Sequence, residues 1–101
     1  MSAPLLIRVS RRATAQIEKA AGWWQDNRPA APGAVREDVA RALLLLSTQP
    51  GLGVPARGSK SKGVRRLTLS RIRYYLYYRV LKGTLDVLAF WHTSRGREPR
   101  L

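Results

Sequence analysis

A chain of 101 residues with 45% hydrophobic side chains can build one packed domain and is too short for two. It has no cysteine, which excludes a disulfide framework, a thiolate nucleophile and a thiolate metal site. The net charge of +13 is uneven: seven basic and four acidic residues in 1–50, twelve and two in 51–101, so the second half draws polyanions such as nucleic acid, acidic protein segments or anionic lipid.

In chain order, "LLIRVS" alternates, with Leu5, Ile7 and Val9 on one side, and reads as a short strand. The apolar run Leu5–Ile7 stops at Arg8, too soon for a secretory signal. Ser10 is placed to cap a helix whose apolar face is Ala13, Ile17, Ala20, Ala21 and Trp24, with Trp23 about 100° away at its edge. "DNRPAAPG" breaks the chain. A second helix is expected from near Pro32, with Val35, Val39, Leu43 and Leu46 as its stripe and Glu37–Arg41 as an i,i+4 pair. Its run Leu43–Leu46 falls far short of the roughly 20 apolar residues a bilayer crossing takes, so a cytoplasmic protein with no membrane partner is expected.

"GLGVPARGSKSKG" reads as a loop, with Lys60 and Lys62 in its mobile part. The period then becomes two. "RRLTLS" gives one strand. "IRYYLYYRV" gives a second, with Tyr74, Leu76 and Tyr78 on one face and Arg73, Tyr75, Tyr77 and Arg79 on the other. Lys82-Gly83 turns the chain into "TLDVLAFWH", where Leu85, Val87, Ala89 and Trp91 are expected opposite Asp86, Leu88, Phe90 and His92. Residues 96–101 are expected to fray as a flexible tail. The expected fold class is α+β: one domain over residues 1–101, a helical hairpin on a four-stranded, mainly antiparallel sheet, in the order β-α-α-β-β-β.

A single histidine and two carboxylates in the basic half make no ligand set, so neither a metal nor a cofactor is expected. There is no G-x-S-x-G elbow, and the glycines of "GLGVPARG" precede no lysine-serine pair. Ribonuclease chemistry needs a base, an acid and cations at the phosphate. Arginines supply the cations and His92 one proton-transfer group, but no second group is evident. Tyr75 and Tyr77 can stack on bases or close the far side of the sheet, and the pattern leaves that choice open. Trp24 reads as core and Trp23 as a partner contact.

The order of elements, "QPGLG" after the second helix, "GVRRLTL", "RYYLYYRV" and the closing "VLAFWHTSRG" together resemble the RelE/ParE family of bacterial toxins over nearly the whole chain. The resemblance implies a toxin of a type II toxin–antitoxin pair, held by an antitoxin with an acidic, amphipathic C-terminal segment in a hetero-oligomer. RelE-like members cut messenger RNA on the ribosome, and ParE-like members act on DNA gyrase without that catalytic set. Arg65, Arg66, Arg79, His92 and Arg95 are the implied target contacts. A ribonuclease would draw on His92, Arg65, Arg79 and Arg95. Trp23, Arg73, Tyr75 and Tyr77 are the implied antitoxin contacts. Gly96, Arg97 and Glu98 follow Arg95, where a catalytic member carries a tyrosine, so the ending resembles the ParE side. A nucleic-acid-binding module without toxicity is the third class.

Overall fold

A computed structural model describes residues 3–57 and 62–101, so Lys60 lies outside the described residues. The elements are β1 (Leu6–Val9), α1 (Arg11–Asn27), α2 (Ala34–Thr48), a 3-10 turn (Pro50–Leu52), β2 (Val54–Pro55), β3 (Arg65–Leu69), β4 (Tyr74–Leu81) and β5 (Thr84–His92). They form an α+β fold in which two helices pack on one sheet of order β1-β5-β4-β3-β2.

The sheet has five strands and is mixed, where four mainly antiparallel strands were expected. β1 runs parallel to β5, with Ile7 opposite Leu85 and Val9 opposite Val87. The other pairs are antiparallel. The added strand is Val54–Pro55, inside the stretch read as a loop; it pairs only with Arg66 and Arg65. Two residues show no alternation, and proline is tolerated there because β2 is an edge strand.

Ser10 caps α1 as its spacing implied, its Oγ accepting from the Ala13 N–H at 3.0 Å. Gly22 stays within the helix, which ends when the Arg28 N–H donates to the Trp24 carbonyl. α2 starts at Ala34, two residues after the expected Pro32, with Gly33 as N-cap. The Glu37–Arg41 pair does not form. Arg41 lies 3.2 Å from Asp38, while Glu37 and Asp38 both hold Arg71. Asp38 is buried and needs close donors, and the planar guanidinium of Arg71 reaches both its oxygens, at 3.0 and 2.6 Å. The two carboxylates raise the Arg71 pKa further above its already high value.

The core holds Ile17, Val35, Val39 and Leu46 from the helices against Leu76 and Val87 of the sheet. Leu43 is only partly buried at its edge, and so is Trp24, whereas Leu46 is fully enclosed. β4 keeps its expected alternation, with Tyr74, Leu76 and Tyr78 towards the helices and Tyr77 away. β5 does not. Tyr77 faces Ala89 and Tyr78 faces Val87, so Leu88 is an extra residue, a β-bulge. Beyond it the faces exchange: Phe90 joins Leu85 and Val87 under the helices, and Ala89 and Trp91 turn away.

The loop after α2 is tied down by Tyr78. Its hydroxyl donates to the Pro50 carbonyl at 2.6 Å and accepts from the Gly53 N–H at 2.9 Å, while Arg65 donates to the Gly53 carbonyl at 2.6 Å. A Cβ on Gly53 would lie 2.5 Å from that hydroxyl and 3.0 Å from the Arg66 carbonyl. Gly53→Ala is therefore expected to destabilise the fold by about 1–3 kcal/mol, read as a lower denaturant midpoint.

Candidate binding surfaces

Two surfaces of different chemistry lie on opposite sides of the sheet. The first is a cleft of about 470 Å³ where the end of α1 meets the start of β4 and the end of β5, lined by Trp23, Arg28, Arg73, Tyr74 and His92 among others. Trp23 stands 49% exposed at its mouth. Arg28 lies over both indoles, 5.0 Å from the Trp23 ring and 5.6 Å from the Trp24 ring. Tyr74 stacks on Phe90 at 4.4 Å and meets His92 edge-on at 4.9 Å.

The bulge at Leu88 puts His92 in this cleft, because it carries the last residues of β5 to the helix side. The Ser94 N–H donates to His92 Nδ1 at 3.0 Å, so the neutral ring carries its proton on Nε2 and can donate there. Burial holds the Tyr74 hydroxyl protonated to higher pH than an ordinary phenol, with Arg95 opposing.

Arg73 departs from its expected place. It precedes β4 in the left-handed region, φ 62°, and does not share the face of Tyr75 and Tyr77. Its N–H donates to the Leu69 carbonyl, and its own carbonyl accepts from the Thr93 N–H, which fixes the turn. The Arg73 side chain is in no ion pair among the described residues, whereas neighbouring Arg71 is held by Glu37 and Asp38.

The second surface is the helix-free side. Val64, Tyr77, Ala89 and Trp91 form a small second core there, with Tyr75 packed against it. Arg66 lies over the Tyr75 ring at 4.1 Å, and Arg95 over the Trp91 ring at 4.0 Å. Arg79 is registered against Asp86 at the other end of the β4–β5 hairpin. Residues 96–101, expected to fray, lie against this core: Pro99 is buried and Leu101 packs on it. Trp91 Nε1 donates to the Arg97 carbonyl at 2.9 Å, and the Tyr77 hydroxyl donates to Glu98.

The open choice for the two tyrosines thus divides. Tyr77 is structural, and Tyr75 stays partly exposed beneath Arg66. Burial, then the Glu98 carboxylate, pushes the Tyr77 hydroxyl up to about 12. A phenol in the unfolded chain ionises near pH 10, so this group supports the fold fully below about pH 10 and loses that support as pH rises through its folded value. Ultraviolet titration is expected to show Tyr74, Tyr77 and Tyr78 ionising later than an ordinary phenol, with the Tyr77 step near pH 12 accompanied by loss of near-ultraviolet circular dichroism.

The candidate ribonuclease residues do not converge. Arg65 is registered against Tyr78, four residues along β4 from the Tyr74–His92 pair, roughly 13 Å at strand rise. Arg79 stands beyond it on the opposite face, and Arg95 rests on Trp91. The cleft instead joins His92 with Trp23 and Arg73, and the helix-free face joins Arg66, Tyr75, Tyr77 and Arg95. The sequence reading missed Arg28 and Tyr74 in the cleft and Glu98 on the other face. Arg28 follows Trp24 by one helical turn, a spacing that was there to be read; nothing local marks Glu98. Among the described residues no cluster of three acidic, histidine or cysteine side chains is placed to hold a metal, and no helix is long and apolar enough to cross a membrane.

The family model described as the ParE toxin of the type II toxin–antitoxin system parDE matches residues 7–97. A chain of the chromosomal ParDE system of P. aeruginosa superposes with a TM-score of 0.73 at 21% identity, covering 92% of this chain and all of that one. A chain of the RelBE2 toxin–antitoxin complex of Mycobacterium tuberculosis superposes at 0.60 and 24% identity, covering 89% of this chain and 99% of that one. At these identities both likenesses establish the fold. No curated protein matches the chain.

Proposed function

The chain belongs to the ParE toxin family of type II toxin–antitoxin systems, and from that premise we propose that it acts on DNA gyrase as a non-catalytic inhibitor, neutralised by a cognate antitoxin. The observation that carries the reading is the separation of Arg65 and Arg79, which lie on opposite faces at one end of the β4 strand, from His92 and Arg95 at the other. A ribonuclease needs its base, acid and cations around one phosphate. Here His92 faces aromatic rings and arginines, and the residues lining the cleft include no carboxylate. What the cleft offers is a contact: an exposed indole, an unpaired guanidinium and an imidazole donor, of the kind that anchors protein interfaces.

The antitoxin reading is supported by the +13 charge, which favours an acidic, amphipathic segment and speeds its approach at low salt. Both structural neighbours come from systems with a toxin and an antitoxin, in keeping with such a partner. A hetero-oligomer in the cytoplasm follows.

Expressing the chain alone while following gyrase-dependent DNA damage and messenger integrity in parallel tests this. Growth arrest with damaged DNA and intact messages is the expected result, and His92→Gln should keep most of it. Cleaved messages with undisturbed gyrase, abolished by His92→Gln, would put the RelE-like reading in its place.

A further inference from the structure

We propose that the cleft between the end of α1 and the ends of β4 and β5 is a binding site for a nucleoside phosphate, with the phosphate held by Arg28, Arg73 and His92 and the base against Trp23. A surplus of donors is the first reason. Three arginines and His92 line the cleft, and no carboxylate does. Arg71 is already neutralised by Glu37 and Asp38. Arg28 rests on the two indoles, and neither it nor Arg73 is in an ion pair among the described residues, so both charges are left for a ligand. His92 adds an N–H at Nε2, because its Nδ1 accepts from the Ser94 N–H. That set offers more donors than a lone carboxylate can accept. A terminal phosphate brings more acceptor oxygens and more charge.

The open indole is the second reason. Trp23 meets Trp24 edge to face rather than stacked, and half its surface is open to solvent. An exposed indole beside cations receives a base of any identity by stacking. Trp91, the other indole under a guanidinium, is only 7% exposed and cannot receive one. The cleft, at about 470 Å³, lies within the usual size range of small-molecule sites. The third reason is the backbone of Arg73. A non-glycine residue at φ 62° is strained, yet here it is fixed from both sides, by the Leu69 carbonyl and the Thr93 N–H, and its side chain lines the cleft. A free nucleotide and the terminal phosphate of a DNA strand present the same chemistry. The proposal rests on the gyrase reading only for its source, a strand held by the target; the site itself does not need that reading.

Titration calorimetry on the full-length protein tests the site, with deoxyadenosine monophosphate, deoxyadenosine and inorganic phosphate as probes. The nucleotide should bind roughly tenfold more tightly than either of its parts. Arg73→Gly should weaken nucleotide binding about tenfold and keep the fold, because glycine takes that backbone freely. Lys82→Gly is the matched control. Lys82 is also left-handed, at φ 50°, and the change removes one positive charge from the turn at the opposite end of the β4–β5 hairpin. It should leave nucleotide binding unchanged. Trp23→Ala should bring the nucleotide down to the affinity of inorganic phosphate. Equal losses in the two glycine variants would mean diffuse attraction to a chain of charge +13 and would overturn the proposal. So would equal binding of the nucleotide and inorganic phosphate by the parent, or of the nucleotide and glutarate, a dicarboxylate without a ring. A thymidine hexanucleotide with and without a terminal phosphate then reads the source. A preference for the phosphorylated form that Arg73→Gly removes assigns a strand end, and no preference assigns a free nucleotide. Gyrase inhibition is scored in a separate assay, so the nucleotide site and the gyrase reading can fail independently.

Discussion

Leu46→Ala is expected to lower the unfolding free energy by about 2–5 kcal/mol, because the side chain is fully enclosed and its removal leaves a cavity between α2 and the sheet. The loss should appear as a reduced denaturant midpoint with an unchanged slope. Leu43→Ala, at the rim of the same helix, should cost visibly less, since its side chain is already partly in water. Equal losses at the two positions would mean that the face of α2 is rotated from the one described.

The second large effect is expected at Arg73, and it separates function from folding. Its left-handed backbone, φ 62°, is one that glycine adopts without cost. Arg73→Gly should therefore leave thermal stability equal or slightly higher. It also deletes a guanidinium of the cleft that is in no ion pair among the described residues. If that guanidinium meets a buried acceptor on the target, the proposed inhibition of gyrase should weaken by roughly ten- to a hundredfold. Arg71→Gly should give the reverse pattern, a loss of stability from the unpaired Asp38 and a smaller functional change. An Arg73→Gly protein that inhibits at the parent's concentration would remove the cleft from the target interface.

Much of this was legible in the residues. The cap at Ser10, the core positions Ile17, Val35, Val39 and Leu46, and the turn at Lys82-Gly83 each follow from local geometry. The bulge was not legible, for a specific reason. Leu88, Ala89, Phe90 and Trp91 are all apolar, so an extra residue there changes which faces they occupy without breaking any visible pattern. That one residue decides where His92 stands. The tail was misread because its polar composition is that of a loose end, while its anchors, Tyr77, Arg66, Trp91 and Arg12, lie between 6 and 88 positions away in sequence. The site residues were regrouped for a related reason: alternation assigned Arg73 to a strand face, but it belongs to the turn before the strand.

The parallel pairing of β1 with β5 has a consequence for how the chain is made. Leu6 is latched to Gly83, Ser10 to Val87 and Leu88, and Gln16 to Phe90, while Leu5 is bonded to Ser47 in the middle of the chain. As the protein leaves the ribosome, β1 and α1 emerge first and must wait for their partners, since no earlier strand offers them an edge. The domain therefore closes only after β5 has emerged. A message cut short before residue 84 yields a product without the strand that joins its two halves.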